Sequence, residues 1–258
     1  MYNISNSGRL SPEIDNEKLR TDTIMYDGDN IQIINPSAEI IYPHWDMFEA
    51  YSKLDYIARM CYKSHKPTHD YTDRVKLLNH LLDSKHDSIF EHHSVTFEIT
   101  HNRAIINQIT RHRLFSFAQE STRYCNYNKD DKIRFCTKHW DSDRVDFLEY
   151  SAETYNEMIK DGYKPEEARD YLPLSLASTI IVTGNLRQWR SFIDTRIHVT
   201  AQKEIRELTT EILYQLHEWY PIIFEDKLEK LDVDYKHDKI SSIKDSVISE
   251  TREDVTNE

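Results

Sequence analysis

Apolar positions along the chain recur with two different periods, and the switch between them lays out the elements. From Met47 to Tyr62, the residues Phe48, Tyr51, Leu54, Ile57, Ala58 and Cys61 return every third or fourth position, which predicts a helix with one apolar face. Tyr71 to Leu82 repeats that spacing with Val75, Leu77, Leu78 and Leu81. Between Ser94 and Thr100 the period drops to two: Val95, Phe97 and Ile99 alternate with Thr96, Glu98 and Thr100, as in a half-buried strand. Upstream, the β-prone runs Ile31–Ile34 and Glu39–Tyr42 are split by Asn35-Pro36-Ser37, which predicts a hairpin. Asn102 is placed to cap a helix through Ile105, Ile106 and Ile109. Further on, a long helix is expected over Asp143 to Asp161, and another begins at Pro165 and stops at Leu172-Pro173. Ser178 to Thr183 reads as an interior strand, Asn185 opens a helix through Trp189 and Phe192, and Ala201 to Trp219 forms an amphipathic helix.

Helices alternating with few strands point to an α/β or α+β fold, a single domain with a central mixed or antiparallel sheet flanked by helices. Residues 1–30 are polar with little periodicity and read as a flexible N-terminal extension; residues 31–235 form the folded domain, and 236–258 a charged C-terminal tail. No apolar run approaches the roughly 20 residues of a membrane span, and no secretory signal is visible, so a cytoplasmic protein without a membrane partner is expected. The net charge of -12 argues against a nucleic-acid partner, which calls for a basic surface. Cys61, Cys125 and Cys136 are an odd set without paired spacing and read as reduced thiols. His86, Glu91, His92 and His93 have no metal-binding spacing, and no metal is expected.

Against this acidic background the segment Arg111-His112-Arg113-Leu114-Phe115-Ser116-Phe117-Ala118-Gln119-Glu120-Ser121-Thr122-Arg123-Tyr124 concentrates cations and hydroxyls. Guanidinium groups offer paired donors that stay charged, so they suit phosphate and carboxylate. Adjacent residues sit about 100° apart on a helix, so Arg111, His112 and Arg113 cannot share one face and are free to grip different ligands. There are only four glycines, and neither a Gly-x-Gly-x-x-Gly nor a Gly-Lys-Ser/Thr loop is present. A nucleotide would have to be held by side chains and helix ends.

This segment resembles the signature of the flavin-dependent thymidylate synthases. Three further patches are similar to that family in the same order. These are His86-Asp87-Ser88-Ile89-Phe90-Glu91-His92, with Ile89 in place of the usual proline, then Ala168-Arg169-Asp170-Tyr171-Leu172-Pro173, and finally Asn185-Leu186-Arg187-Gln188-Trp189 with Arg196, Gln202 and Glu204. The likeness runs from Ala58 to Leu213.

The resemblance implies a homotetramer that methylates dUMP to dTMP with FAD, methylenetetrahydrofolate as carbon donor and NADPH as reductant. It implies FAD contacts at Ser88, Arg111, His112, Arg113 and Gln119, with Asn185, Leu186, Arg187 and Ser191 from a neighbouring subunit. It places dUMP against Gln108, Arg111, Gln119, Glu120, Ser121, Thr122 and Arg123, joined by Arg169 and Arg196 of the partner chain, with Arg196 as the catalytic residue. Some positions depart from the family: Gln119 stands where Glu is common, Ala118 where Asn is frequent, Ser191 where Asn or His occurs, and Thr200 where some members have a flavin-contacting His. Cys125 follows the motif by one residue, but the family requires no cysteine nucleophile. Two rival readings are a nucleic-acid-binding module built on the helix before Arg111 and a nucleotide binder without turnover.

Overall fold

A computed structural model describes residues 23–42, 47–64, 70–129 and 132–231; residues 1–22 of the expected extension and the whole tail 236–258 lie outside the described residues. In chain order the elements are β1 (Ile24–Asp27), β2 (Ile31–Ile34), β3 (Ser37–Tyr42), α1 (Met47–Cys61), α2 (Tyr71–Asp83), β4 (Ser94–Asn102), α3 (Arg103–Ile109) and β5 (Ser116–Gln119). They continue as β6 (Ile133–Phe135), α4 (Ser142–Lys160), α5 (Pro165–Ala168), β7 (Ala177–Asn185), α6 (Leu186–Arg196) and α7 (Lys203–Trp219). Within the described residues the chain forms two compact units, one from 23–42 and 94–184, the other from 47–93 and 185–231.

The first unit contains two sheets, where the sequence pattern predicts one. A three-stranded sheet runs in the order β1-β2-β6, antiparallel between β1 and β2 and parallel between β2 and β6. A four-stranded sheet runs β3-β4-β7-β5. The expected hairpin of β2 and β3 does not form: both edges of β2 are taken, by β1 and β6, and β3 pairs antiparallel with β4 instead. Pro36, which has no N–H to donate, sits at the break. Strand β1 lies inside the stretch read as a loose extension. Its turn into β2 is held by a distant residue, because the Glu149 carboxylate accepts from Asp29 N and Asn30 N, each at 3.0 Å.

Helix α4 buries Val145, Leu148, Ala152 and Tyr155, a three- to four-residue spacing, in a core with Ile31, Ile33, Ile133 and Phe135. The Oγ1 pairs Thr96–Thr183 and Thr100–Thr179, both at 2.9 Å, run in opposite directions along β4 and β7, so those strands are antiparallel. Strand β4 was expected to be half-buried, yet Thr96 and Thr100 are buried as well as Val95, Phe97 and Ile99. The hydroxyls of these two threonines are bonded to those of Thr183 and Thr179 on the same face of the sheet, so the cross-strand side chains cover one another.

The second unit holds α1, α2, α6, α7 and a 3₁₀ turn at Asp87–His92. Helix α6 is started by a reciprocal cap: Gln188 N donates to Asn185 Oδ1 at 2.9 Å, and Asn185 N to Gln188 Oε1 at 2.8 Å. Trp189 and Phe192 meet edge to face, and both are fully buried. His93, only 3% exposed, bonds through Nε2 to Tyr220 Oη at 2.9 Å, while its carbonyl accepts from Leu186 N. No helix among the described residues is long and apolar enough to cross a membrane.

Candidate functional site

In the first unit Asn102 Oδ1 accepts from Ile105 N at 2.9 Å and starts α3, as its sequence position predicts. The helix ends at Ile109, and successive turns follow, with His112 N bonded to Ile109 O and Phe115 N to His112 O. The chain then returns along β7 as β5, with Phe117 opposite Val182 and Gln119 opposite Ile180. Arg111, His112 and Arg113 therefore occupy the turn between a helix and a strand. Arg111 and Arg113 are exposed, and among the described residues neither guanidinium group has a hydrogen bond or an ion pair. His112 is half-buried against Phe115, ring centroids 6.3 Å apart, and Gln108 is half-buried on α3. Leu114 between them is 80% exposed.

Past β5 the chain leaves the sheet. Gln119 Nε2 reaches the buried Ser178 Oγ at 3.4 Å, and Glu120 Oε2 accepts from Thr179 N at 3.2 Å. Ser121 O accepts from both Tyr124 N and Cys125 N, which closes a tight turn. Arg123 N donates to Ser121 Oγ at 3.3 Å, and its side chain is paired with Glu166 (Nε to Oε2, 2.7 Å) and lies over the Tyr124 ring. Arg169 Nη1 donates to Thr122 Oγ1 at 3.2 Å. Arg169 was expected to join this segment from a partner chain; it already stands against Thr122 of its own chain, because the 3₁₀ turn Arg169–Tyr171 after α5 belongs to the same unit. Hydroxyls, an amide and two guanidinium groups gathered this way suit a phosphate monoester on a polar base.

In the second unit Ser88 is exposed on the 3₁₀ turn. Arg187 is ion-paired with Glu91, and the Asn185 side-chain oxygen is committed to capping α6. Leu186 is 0% exposed, its side chain packed inside the unit, which leaves only its backbone for the cofactor contact that the resemblance implies. The first apolar residue of a capped amphipathic helix points inward. Ser191 is exposed, and Arg196 closes α6 half-buried, where burial pulls its pKa below the ordinary guanidinium value. Thr200 Oγ1 lies 2.9 Å from His198 Nδ1. Glu166 was not anticipated as the partner of Arg123; its only signal was an acidic first turn after Pro165.

The profile of the Thy1 family, described as thymidylate synthase complementing protein, matches residues 46–222. The chain is 34% identical over 203 residues to the probable flavin-dependent thymidylate synthase of Mycobacterium phage L5, covering 71% of this chain and 83% of that one. To the flavin-dependent thymidylate synthase of Mycobacterium tuberculosis (strain ATCC 25618 / H37Rv) it is 32% identical over 195 residues, covering 67% and 78%. Its fold is shared with the UMP/dUMP methylase PolB from Streptomyces cacaoi, solved with 5-Br dUMP bound, at a TM-score of 0.64 and 21% identity over 76% of this chain and 95% of that one. With a family match that spans residues 46–222 and relatives above 30% identity, the chain belongs to the thymidylate synthase complementing protein family, that of the flavin-dependent thymidylate synthases.

Proposed function

We infer that the chain is a flavin-dependent thymidylate synthase that methylates dUMP to dTMP. The observation that carries this reading is the pair of exposed guanidinium groups of Arg111 and Arg113, without partners among the described residues, directly upstream of the hydroxyl-rich segment Gln119–Arg123. Two such cations match the doubly charged pyrophosphate of FAD, a target that one cation neutralises poorly. Arg111, His112 and Arg113 would hold that cofactor, with Ser88, Gln119, Asn185, Arg187 and Ser191 contributing. Leu186 could take part only through its backbone. The flavin supplies the redox chemistry, and methylenetetrahydrofolate and NADPH are the proposed carbon donor and reductant.

For dUMP, Arg123 and Arg169 supply charge to the phosphate, and Ser121 and Thr122 supply hydroxyl donors; Gln108, Gln119 and Arg111 complete the set. Arg196 is the proposed catalytic residue: a fixed positive charge against the uracil ring stabilises the anion that forms as the ring is activated. A homotetramer with residues contributed from more than one subunit is part of this proposal. The relatives named above, described as flavin-dependent thymidylate synthases, support the reading. The test is direct assay of dTMP formed from dUMP with FAD, methylenetetrahydrofolate and NADPH, each omitted in turn. Dependence on all four supports the proposal; dUMP binding without any dTMP would favour a nucleotide binder.

A further inference from the structure

Pairing of β5 with β7 sets Gln119 opposite Ile180, so Glu120 and Thr179 are next in register. In a hydrogen-bonded antiparallel pair each residue donates its N–H to the other's carbonyl. Half of that exchange is present, Glu120 N to Thr179 O at 3.0 Å. The other half is replaced: Thr179 N donates to the Glu120 carboxylate oxygen Oε2, at 3.2 Å. The side chain has taken its own carbonyl's place in the ladder. The backbone is thereby free to leave the sheet after Glu120, and it turns at once around Ser121 O.

The surroundings hold this arrangement in place. Thr179 is fixed from the other side by Thr100, and Gln119 by the buried Ser178. Glu120 also faces the hydroxyl of Tyr127, a residue 6% exposed, and among the described residues that hydroxyl has no other hydrogen-bond partner. Burial, and then the Glu120 charge, raise the Tyr127 pKa, so the phenol keeps its proton and presents O–H toward the carboxylate.

We propose that Glu120 is a positioning residue, whose carboxylate ends the β5–β7 ladder and so sets the path of Ser121, Thr122 and Arg123, without itself touching the nucleotide. The proposal rests on the assignment of that segment to dUMP and replaces the direct contact that the family resemblance implies for Glu120. What the position requires is an acceptor oxygen at the right reach. Glutamine supplies one without a charge; aspartate keeps the charge but is a methylene too short; leucine has similar bulk and no acceptor.

The experiment compares E120Q, E120D, E120L and R123A in the full-length flavoenzyme, measuring dUMP affinity by the flavin absorbance change together with KM and kcat. E120L and E120D are expected to raise Kd and KM for dUMP about tenfold, with kcat at saturation within about twofold and flavin content unchanged. E120Q should recover most of that loss, with an unaltered pH profile of kcat/KM. An E120Q variant as weak as E120L, or an E120D variant as good as wild type, would overturn the proposal, because charge and not reach would then be what matters. The E120Q and E120D pair decides the matter even if E120L does not fold. Unchanged dUMP affinity in R123A would instead overturn the assignment of the segment; loss in R123A with none in E120L and E120D would overturn the role of Glu120 alone.

Discussion

Arg169 Nη1 donates to Thr122 Oγ1 at 3.2 Å, which joins a residue just past α5 to the turn that follows β5. The bond brings a second guanidinium to the segment that already contains Arg123, itself held by Glu166. On the proposed function, these two arginines share the phosphate of dUMP. Arg169→Ala should raise KM for dUMP about tenfold or more, as expected for a lost charge-assisted bond, with flavin content unchanged. Steady-state kinetics beside a flavin absorbance spectrum would check this. Loss of flavin together with dUMP binding would show that Arg169 supports the unit as a whole.

The Arg113 guanidinium has no hydrogen bond or ion pair among the described residues, so truncating it leaves no internal partner stranded. Arg113→Ala should therefore fold normally yet bind FAD roughly 10- to 100-fold more weakly. Titration of the apoprotein with FAD, with circular dichroism as a folding control, measures both. Wild-type affinity would remove Arg113 from the pyrophosphate site.

Arg196 ends α6, half-buried, with a pKa lowered by burial. Arg196→Ala should retain the yellow colour and lose dTMP formation by at least about 100-fold, the scale of a lost electrostatic contact to developing charge. Arg196→Lys should recover part of it. Full turnover in the alanine variant would contradict the catalytic assignment.

His93 carries a pH prediction. Burial, and then the Lys53 charge, push its pKa down to about 4, so the native ring is neutral beside Tyr220. The unfolded chain takes up a proton near pH 6.5. The stability that depends on a neutral His93 is thus complete above about pH 6.5 and is lost progressively as pH falls toward 4, on the order of 3 kcal/mol in all. Urea unfolding of wild type and His93→Gln between pH 7.5 and 4 would measure it. Parallel pH profiles in the two proteins would rule out His93 as the titrating group.

The elements legible in the sequence are those whose signal is local. Asn102 and Asn185 cap the helices that they are placed to cap, and the apolar spacings of α1, α4 and α7 return as helices. Strands β1, β5 and β6 have three or four residues each, too few to set a period, and β5 and β6 are held by partners far away in sequence. The two-sheet arrangement was hidden for the same reason: which strand β2 and β3 would choose depends on pairing with β6 and β4. Arg74 shows another limit. The helical pattern of α2 marks its apolar neighbours, yet Arg74 is buried, its guanidinium 5.2 Å from the Phe48 ring centroid. In the candidate site the arginine-rich segment was legible by residue type, because few functions other than anion binding call for such a cluster in an acidic chain. Its internal bonds were not: Arg123–Glu166 and Arg169–Thr122 span 43 and 47 residues and exist only after folding.

The most direct test of the account is the anaerobic visible spectrum of the purified protein with FAD, recorded with and without dUMP and then after NADPH. Flavin bands that shift on addition of dUMP and bleach with NADPH are the predicted result, since they require cofactor and nucleotide in one site and a working reductive step. A protein that takes up no FAD, or holds it without any response to dUMP, would contradict the central claim.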